Sequence, residues 1–211
     1  MAIPKLNKLL AQGISEAGIS EFNELQEKLI PRILGGASFY LQTEKDSSEN
    51  AEDLQKKSDQ LTATIIAILQ RLNYSQPDAP RAIVMVSSVE ESMALLPKFK
   101  EFAKHMELKI HLAHEDGILD NQNMAIYAGA DIIIATPKRL LKLYFQCGIN
   151  VNKVQTLFLY NASRIFDARL HVEIDRITDS LPKFQSIVFS EDLNDKVIKA
   201  CSKFMKTAVV V

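Results

Sequence analysis

Four consecutive residues, Thr136-Pro137-Lys138-Arg139, have the types and order of an anion site. Pro137 suits the first position of a helix, where its missing N–H leaves nothing unsatisfied. A helix starting there offers free backbone N–H groups to a phosphate, and a Thr hydroxyl and an Arg fork suit the same ligand. The competing reading is a helix start kept for packing, with solvated cations. His111 and His114, followed by Glu115 and Asp116, have metal-ligand chemistry. His111 falls in a strand pattern, however, and no Cys or third His is in sequence range, so no metal is expected. None of the seven glycines begins a GxxxxGK[ST] loop, the sequence that wraps backbone N–H groups around a phosphate. Gln26 could read an adenine edge bidentately, although a role on a helix surface competes with that.

These residues need elements to hold them. Short apolar runs occur at Phe39–Leu41, Ala82–Val86, Lys109–Leu112, Asp131–Ala135, Thr156–Tyr160, Ser186–Phe189 and Ala208–Val211. Several are apolar at successive positions rather than alternating, which predicts strands buried on both faces of a parallel sheet. Helical periodicity fills the intervals: Glu21–Leu34, a segment after Ser48 carrying Leu54, Leu61, Ile65, Ile68 and Leu72, then Val89–Lys104, Ile118–Tyr127, Pro137–Gln146, Ser163–Ser180 and Glu191–Phe204. The alternation predicts an α/β fold, a doubly wound, mostly parallel sheet of about seven strands with helices on both faces. Ligands of such sheets bind beyond the carboxyl ends of the strands. Function is therefore sought in the loops after Leu41, Val86, Ala135, Tyr160 and Phe189.

Composition narrows the classes. At about 150 residues per domain, 211 residues predict one domain. Apolar residues at 47% and charged ones at 24% are globular values and exclude a disordered or fibrous chain. A net charge of −1 excludes a generally basic coat for nucleic acid and leaves room for a local patch. The only cysteines, Cys147 and Cys201, are far apart, so neither a disulfide framework nor a zinc site is expected and the reducing cytoplasm is the natural compartment. No apolar run approaches the ~20 residues that span a bilayer, so no membrane partner is expected.

Read in order, the strand-end segments resemble the first RecA-like domain of a DEAD-box RNA helicase, from about Gly13 to the last residue. ADIIIATPKRLLKL (130–143) resembles the family's TPGR segment, and GISEFNELQEKLIPRILGG (18–36) the region of its adenine-reading Gln, with Gln26 in register. TLFLYNASRIFD (156–167) resembles the strand bearing the DEAD signature, SIVFSEDLNDKV (186–197) the strand bearing Ser-Ala-Thr, and FMKTAVVV the final strand. The resemblance implies a RecA-like, P-loop NTPase-type domain over residues 1–211. It also implies RNA contact through Thr136, Lys138 and Arg139, and relic nucleotide contacts at Gln26 and Thr43.

The family's ATPase residues are replaced. Residues 42–60 form a polar loop and helix start in place of a P-loop, with six acids and three lysines. Glu44 and Asp46 stand where the resemblance implies glycines, and Ser47 where it implies the phosphate-binding Lys; Lys45 is the one nearby substitute. Tyr160-Asn161-Ala162-Ser163 replaces the carboxylates for magnesium and water activation, and Ser190-Glu191-Asp192 replaces Ser-Ala-Thr. Ser87-Ser88-Val89-Glu90-Glu91 replaces the family's PTREL strip with acids that would repel an RNA backbone, and His114-Glu115-Asp116-Gly117 stands near its paired glycines. The expectation is a catalytically inactive helicase-like domain with no catalytic residue, no ATP or magnesium cofactor and no metal. Its expected partner is RNA held weakly, or else a protein or a second RecA-like domain. The alternative is the ATP-binding fragment of an ATP-dependent RNA helicase with divergent motifs.

Overall fold

The computed structural model describes residues 5–43, 50–205 and the backbone of 209–210. In chain order the elements are α1 (Lys8–Glu16), α2 (Glu24–Leu34), β1 (Phe39–Gln42), α3 (Ala51–Leu72), β2 (Ala82–Met85), α4 (Val89–Phe102), β3 (Ile110–Ala113) and α5 (Leu119–Tyr127). They continue with β4 (Ile132–Ala135), α6 (Pro137–Cys147), β5 (Thr156–Leu159), α7 (Ala162–Asp167), α8 (His171–Thr178), β6 (Gln185–Ser190), α9 (Asp195–Cys201) and β7 (Val209–Val210).

The strands form one sheet in the order β3-β4-β2-β5-β6-β1-β7, and every pairing is parallel. All residues of β2, β4 and β5 are buried, which is why their sequences are apolar without alternation. One face packs against α1 to α4 through Ile30, Ile65, Ile68 and Phe99. The other packs against α5 to α9 through Leu140, Leu143, Ile165, Phe166 and Ile174. Phe158 and Phe189, from adjacent strands, meet edge to face at 5.0 Å. Among the described residues no helix is long and apolar enough to cross a membrane.

The amino edge of the sheet is tied by one buried carboxylate. Asp131 accepts from Ser75 Oγ (2.7 Å), the N–H groups of Gln76 (2.7 Å) and Lys109 (3.0 Å), and Arg81 Nη2 (2.6 Å). Burial by itself would raise its pKa; those four donors outweigh it and hold the carboxyl below its ordinary value.

One element is added and two expectations are corrected. The opening segment forms α1, capped by Asn7, whose Oδ1 accepts from the Leu9 N–H at 2.8 Å. A Cβ at Gly13 would collide with the carbonyl oxygen of Phe102, so this glycine lets α1 lie directly on α4. The helix expected over 163–180 is two helices, broken where Arg169 adopts φ +60°. The last helix begins at Asp195, capped by Asn194, and not at Glu191. Glu191 thereby stays in the loop after β6, from which it reaches neighbouring elements.

Candidate functional site

Parallel pairing brings the ends of β1 to β6 to one edge, and two charged regions lie there. The first is a chain of ion pairs across the ends of β2, β5 and β6. Ser88 caps α4, which turns Glu91 back towards the loop after β2, where its Oε2 accepts from the Ser87 N–H and hydroxyl, each at 2.8 Å. Glu91 Oε1 accepts from Asn161 Nδ2 at 2.6 Å and lies 3.6 Å from Arg164 Nη1. The other nitrogen of that fork reaches Glu191 Oε1 at 3.2 Å, and Lys57 Nζ, from α3, reaches the same oxygen at 2.8 Å. Two cations thus face two carboxylates, and all but Arg164 are nearly buried.

Asn161 and Ser163, which follow β5, adjoin this arrangement. Asn161 is left-handed (φ 53°), a conformation Asn tolerates better than most side chains, and its buried Oδ1 has no partner. The Ser163 N–H donates to Ser190 Oγ at 3.2 Å, whose own hydroxyl donates to the Asp192 carbonyl at 2.6 Å. Thr43 is buried, with its backbone N–H on the Ser190 carbonyl (3.0 Å) and its hydroxyl unpartnered. Asn50 caps α3 and places Glu52 and Asp53 in its first turn, at the positive end of the dipole. The expected replacements at Glu44, Lys45, Asp46 and Ser47 lie outside the described residues.

Gln26 is not on a helix surface. It is buried, its Oε1 accepts from the Asn23 N–H (3.2 Å), and its N–H donates to Asn23 Oδ1 (2.9 Å) in a reciprocal cap. Its Nε2 donates to Asp59 Oδ1 at 3.3 Å, so both ends of the carboxamide are engaged within the protein. The spacing Asn-x-x-Gln before an apolar run was the available signal for this role.

The second region is the start of α6. Lys138 is exposed, whereas Thr136 and Arg139 turn inward to the loop after β3. Thr136 Oγ1 donates to Glu115 Oε2 at 2.7 Å, so it does not cap its own helix, and Arg139 Nη2 donates to the Glu115 carbonyl at 2.8 Å. Arg139 is only 8% exposed, and its Nη1 has no partner. A groove of about 460 Å³ opens beside it between α6 and α8, with Lys142, Phe145 and Arg176 on its walls. His111 Nε2 donates to the Gly129 carbonyl at 2.9 Å, and the described residues contain no cluster fit for a metal ion.

Sequence reasoning missed Lys57 and Arg164, whose signal was opposite charge on elements flanking Glu91 and Glu191. It also missed Phe145, an apolar residue on the polar stripe of α6.

The model of the DEAD/DEAH box helicase family matches residues 62–198, and the chain belongs to that family. It is 29% identical over 196 residues to the ATP-dependent RNA helicase DBP10 of Chaetomium globosum, covering 92% of this chain and 24% of that protein. Against the Saccharomyces cerevisiae protein of the same name the identity is 26% over 207 residues, 97% of this chain and 19% of that one. The chain therefore spans about a quarter or less of the length of these curated relatives. In fold it is similar to an S. cerevisiae Dbp5 variant solved with Nup159, a Gle1 variant, IP6 and ADP, with a TM-score of 0.81 at 20% identity over 98% of this chain and 52% of that one.

Proposed function

We propose that this helicase-family domain is catalytically silent and serves as a binding module, with single-stranded RNA as the partner its charged edge favours. One observation carries the reading: the charges at the ends of β2, β5 and β6 are spent on each other, Lys57 and Arg164 on Glu91 and Glu191. A triphosphate entering there would have to take Lys57 from Glu191. Each carboxylate at about 4 Å would repel each phosphate charge by ~1 kcal/mol in water and ~4 kcal/mol where partly desolvated. Tyr160 and Asn161 supply neither an oxyanion for magnesium nor a base for water.

RNA binding is supported by the other region. The α6 start offers free N–H groups, Lys138 at the surface and the half-satisfied Arg139 beside it. Binding through so few phosphate contacts is weak and salt-sensitive. A protein partner or a second RecA-like domain are the other occupants this edge could take. A cytoplasmic location belongs to the proposal and rests on the two free cysteines.

The second reading, a working ATP-binding fragment of an ATP-dependent RNA helicase, is favoured by the names of the relatives. Titration with a fluorescent ATP analogue and magnesium separates the two. No saturable micromolar binding is expected, and its appearance would overturn catalytic silence. Anisotropy with labelled single-stranded RNA at two salt concentrations tests the partner: affinity at low salt should fall steeply at high salt, and no affinity at low salt removes RNA.

A further inference from the structure

We propose that the groove between α6 and α8 is a nucleobase subsite, in which a single-stranded RNA lying across the α6 start stacks one base on Phe145. This rests on the RNA-binding reading and extends it from backbone contact to contact with a base. Lys138, Lys142 and Phe145 follow at i, i+4 and i+7, so they share one face of α6, about 10 Å from first to last, opposite the buried Leu140 and Leu143. Phe145 is 61% exposed at the groove wall, and Tyr144 meets its ring edge to face at 5.0 Å. Beyond that contact the ring of Phe145 stands in water on a cationic stripe.

Charge selects the occupant. The groove gathers Lys138, Arg139, Lys142 and Arg176 against Glu115 and Glu173, an excess of two positive charges in a chain whose net charge is −1. Arg139 adds an independent pointer. Among the described residues no carboxylate pairs with it, and its buried Nη1 lacks any acceptor, a costly state for a guanidinium that an anion at the groove would relieve. Cations tracking a backbone beside an aromatic platform form the usual combination for single-stranded nucleic acid, since every base has a π-face. The cavity, about 460 Å³, is within the range of sites for small organic groups.

The test uses fluorescence anisotropy at low salt with a labelled oligoadenylate of about ten nucleotides and its abasic counterpart, which keeps the phosphates and removes the bases. Phe145→Ala should weaken oligoadenylate binding about tenfold and leave the abasic strand unchanged, and Phe145→Trp should restore it. Phe145 is exposed, so both variants should keep the wild-type melting temperature. Equal affinity of wild type and Phe145→Ala for oligoadenylate overturns the base subsite while RNA binding stands, and leaves the groove to a protein partner. Equal weakening on both strands also overturns it. Failure of the wild-type protein to bind either strand overturns this subsite and the RNA reading together.

Discussion

At the amino edge of the sheet, Asp131 is enclosed by four donors supplied from Ser75, Gln76, Arg81 and Lys109. At the carboxyl edge buried polar atoms stand open beside the charged groups. Thr43 Oγ1, His114 Nδ1, Arg139 Nη1 and Asn161 Oδ1 are all buried without a partner, each in or just beyond a loop that follows a strand. Both edges are built from the same strands, so the difference does not come from the sheet. A carboxylate with a full set of donors serves stability. Buried polar atoms left open are costly; Arg81 Nε and Ser186 Oγ are open at the amino edge too, so the edges differ in the charged groups they gather, and the carboxyl edge is the one where this fold binds ligands. Within that edge a second contrast holds: among the described residues Glu91 and Glu191 are matched by Lys57 and Arg164, whereas the α6 groove keeps an excess of positive charge.

The largest effect should come from the amino edge. Asp131→Ala leaves Arg81 buried without its counter-charge and should cost about 3–5 kcal/mol in urea unfolding. The same site sets an acid limb in the wild type. Because the folded carboxyl lies below its ordinary value, the stability it contributes is present above an unfolded pKa of about 3.9 and is lost as pH falls through the folded one. Asp131→Asn should flatten that limb. A variant as stable as wild type would place Asp131 outside the stability-bearing set.

An intermediate effect is expected at the closed region. Glu191→Ala strips the shared oxygen from Lys57 and Arg164 and should cost roughly 2 kcal/mol, less than the amino edge because Arg164 keeps access to water. Thermal unfolding reads this, and no loss would mean that the ion pairs are incidental to the fold. The same variant should remain blind to ATP if carboxylates elsewhere at this edge, such as Glu52 and Asp53, also repel phosphate.

The smallest effect is at the groove. Glu115 holds the Thr136 hydroxyl and puts a carboxylate over the α6 start. Glu115→Gln keeps an acceptor for that hydroxyl and removes the charge, so RNA affinity should rise a few-fold at low salt, equivalent to about 1 kcal/mol or less. An unchanged affinity would separate Glu115 from the phosphate path.

Much of the fold was legible because burial on both faces writes itself into sequence as uninterrupted apolar runs. All seven strand segments form where those runs stand, within a residue or so at each end. Helix α1 was not legible: its packing depends on Gly13 meeting the Phe102 backbone, a contact between residues remote in sequence. The break at Arg169 was hidden because helical periodicity continues on both sides of a left-handed residue. The sequence named Thr136, Lys138 and Arg139 as candidates for phosphate contact but did not carry their orientation, since Thr136 and Arg139 turn towards Glu115 of another loop.

The sequence alone determined which residue types stand at each strand end, carboxylates, an aromatic and an amide among them. Those are local facts, fixed by the order of residues along each segment. Only the tertiary structure decided that Glu91, Arg164, Glu191 and Lys57 neutralise one another and that Lys138, Lys142, Arg176 and Phe145 share one groove. Charge acts through distance in space, and parallel crossovers bring together groups that the chain itself keeps far apart.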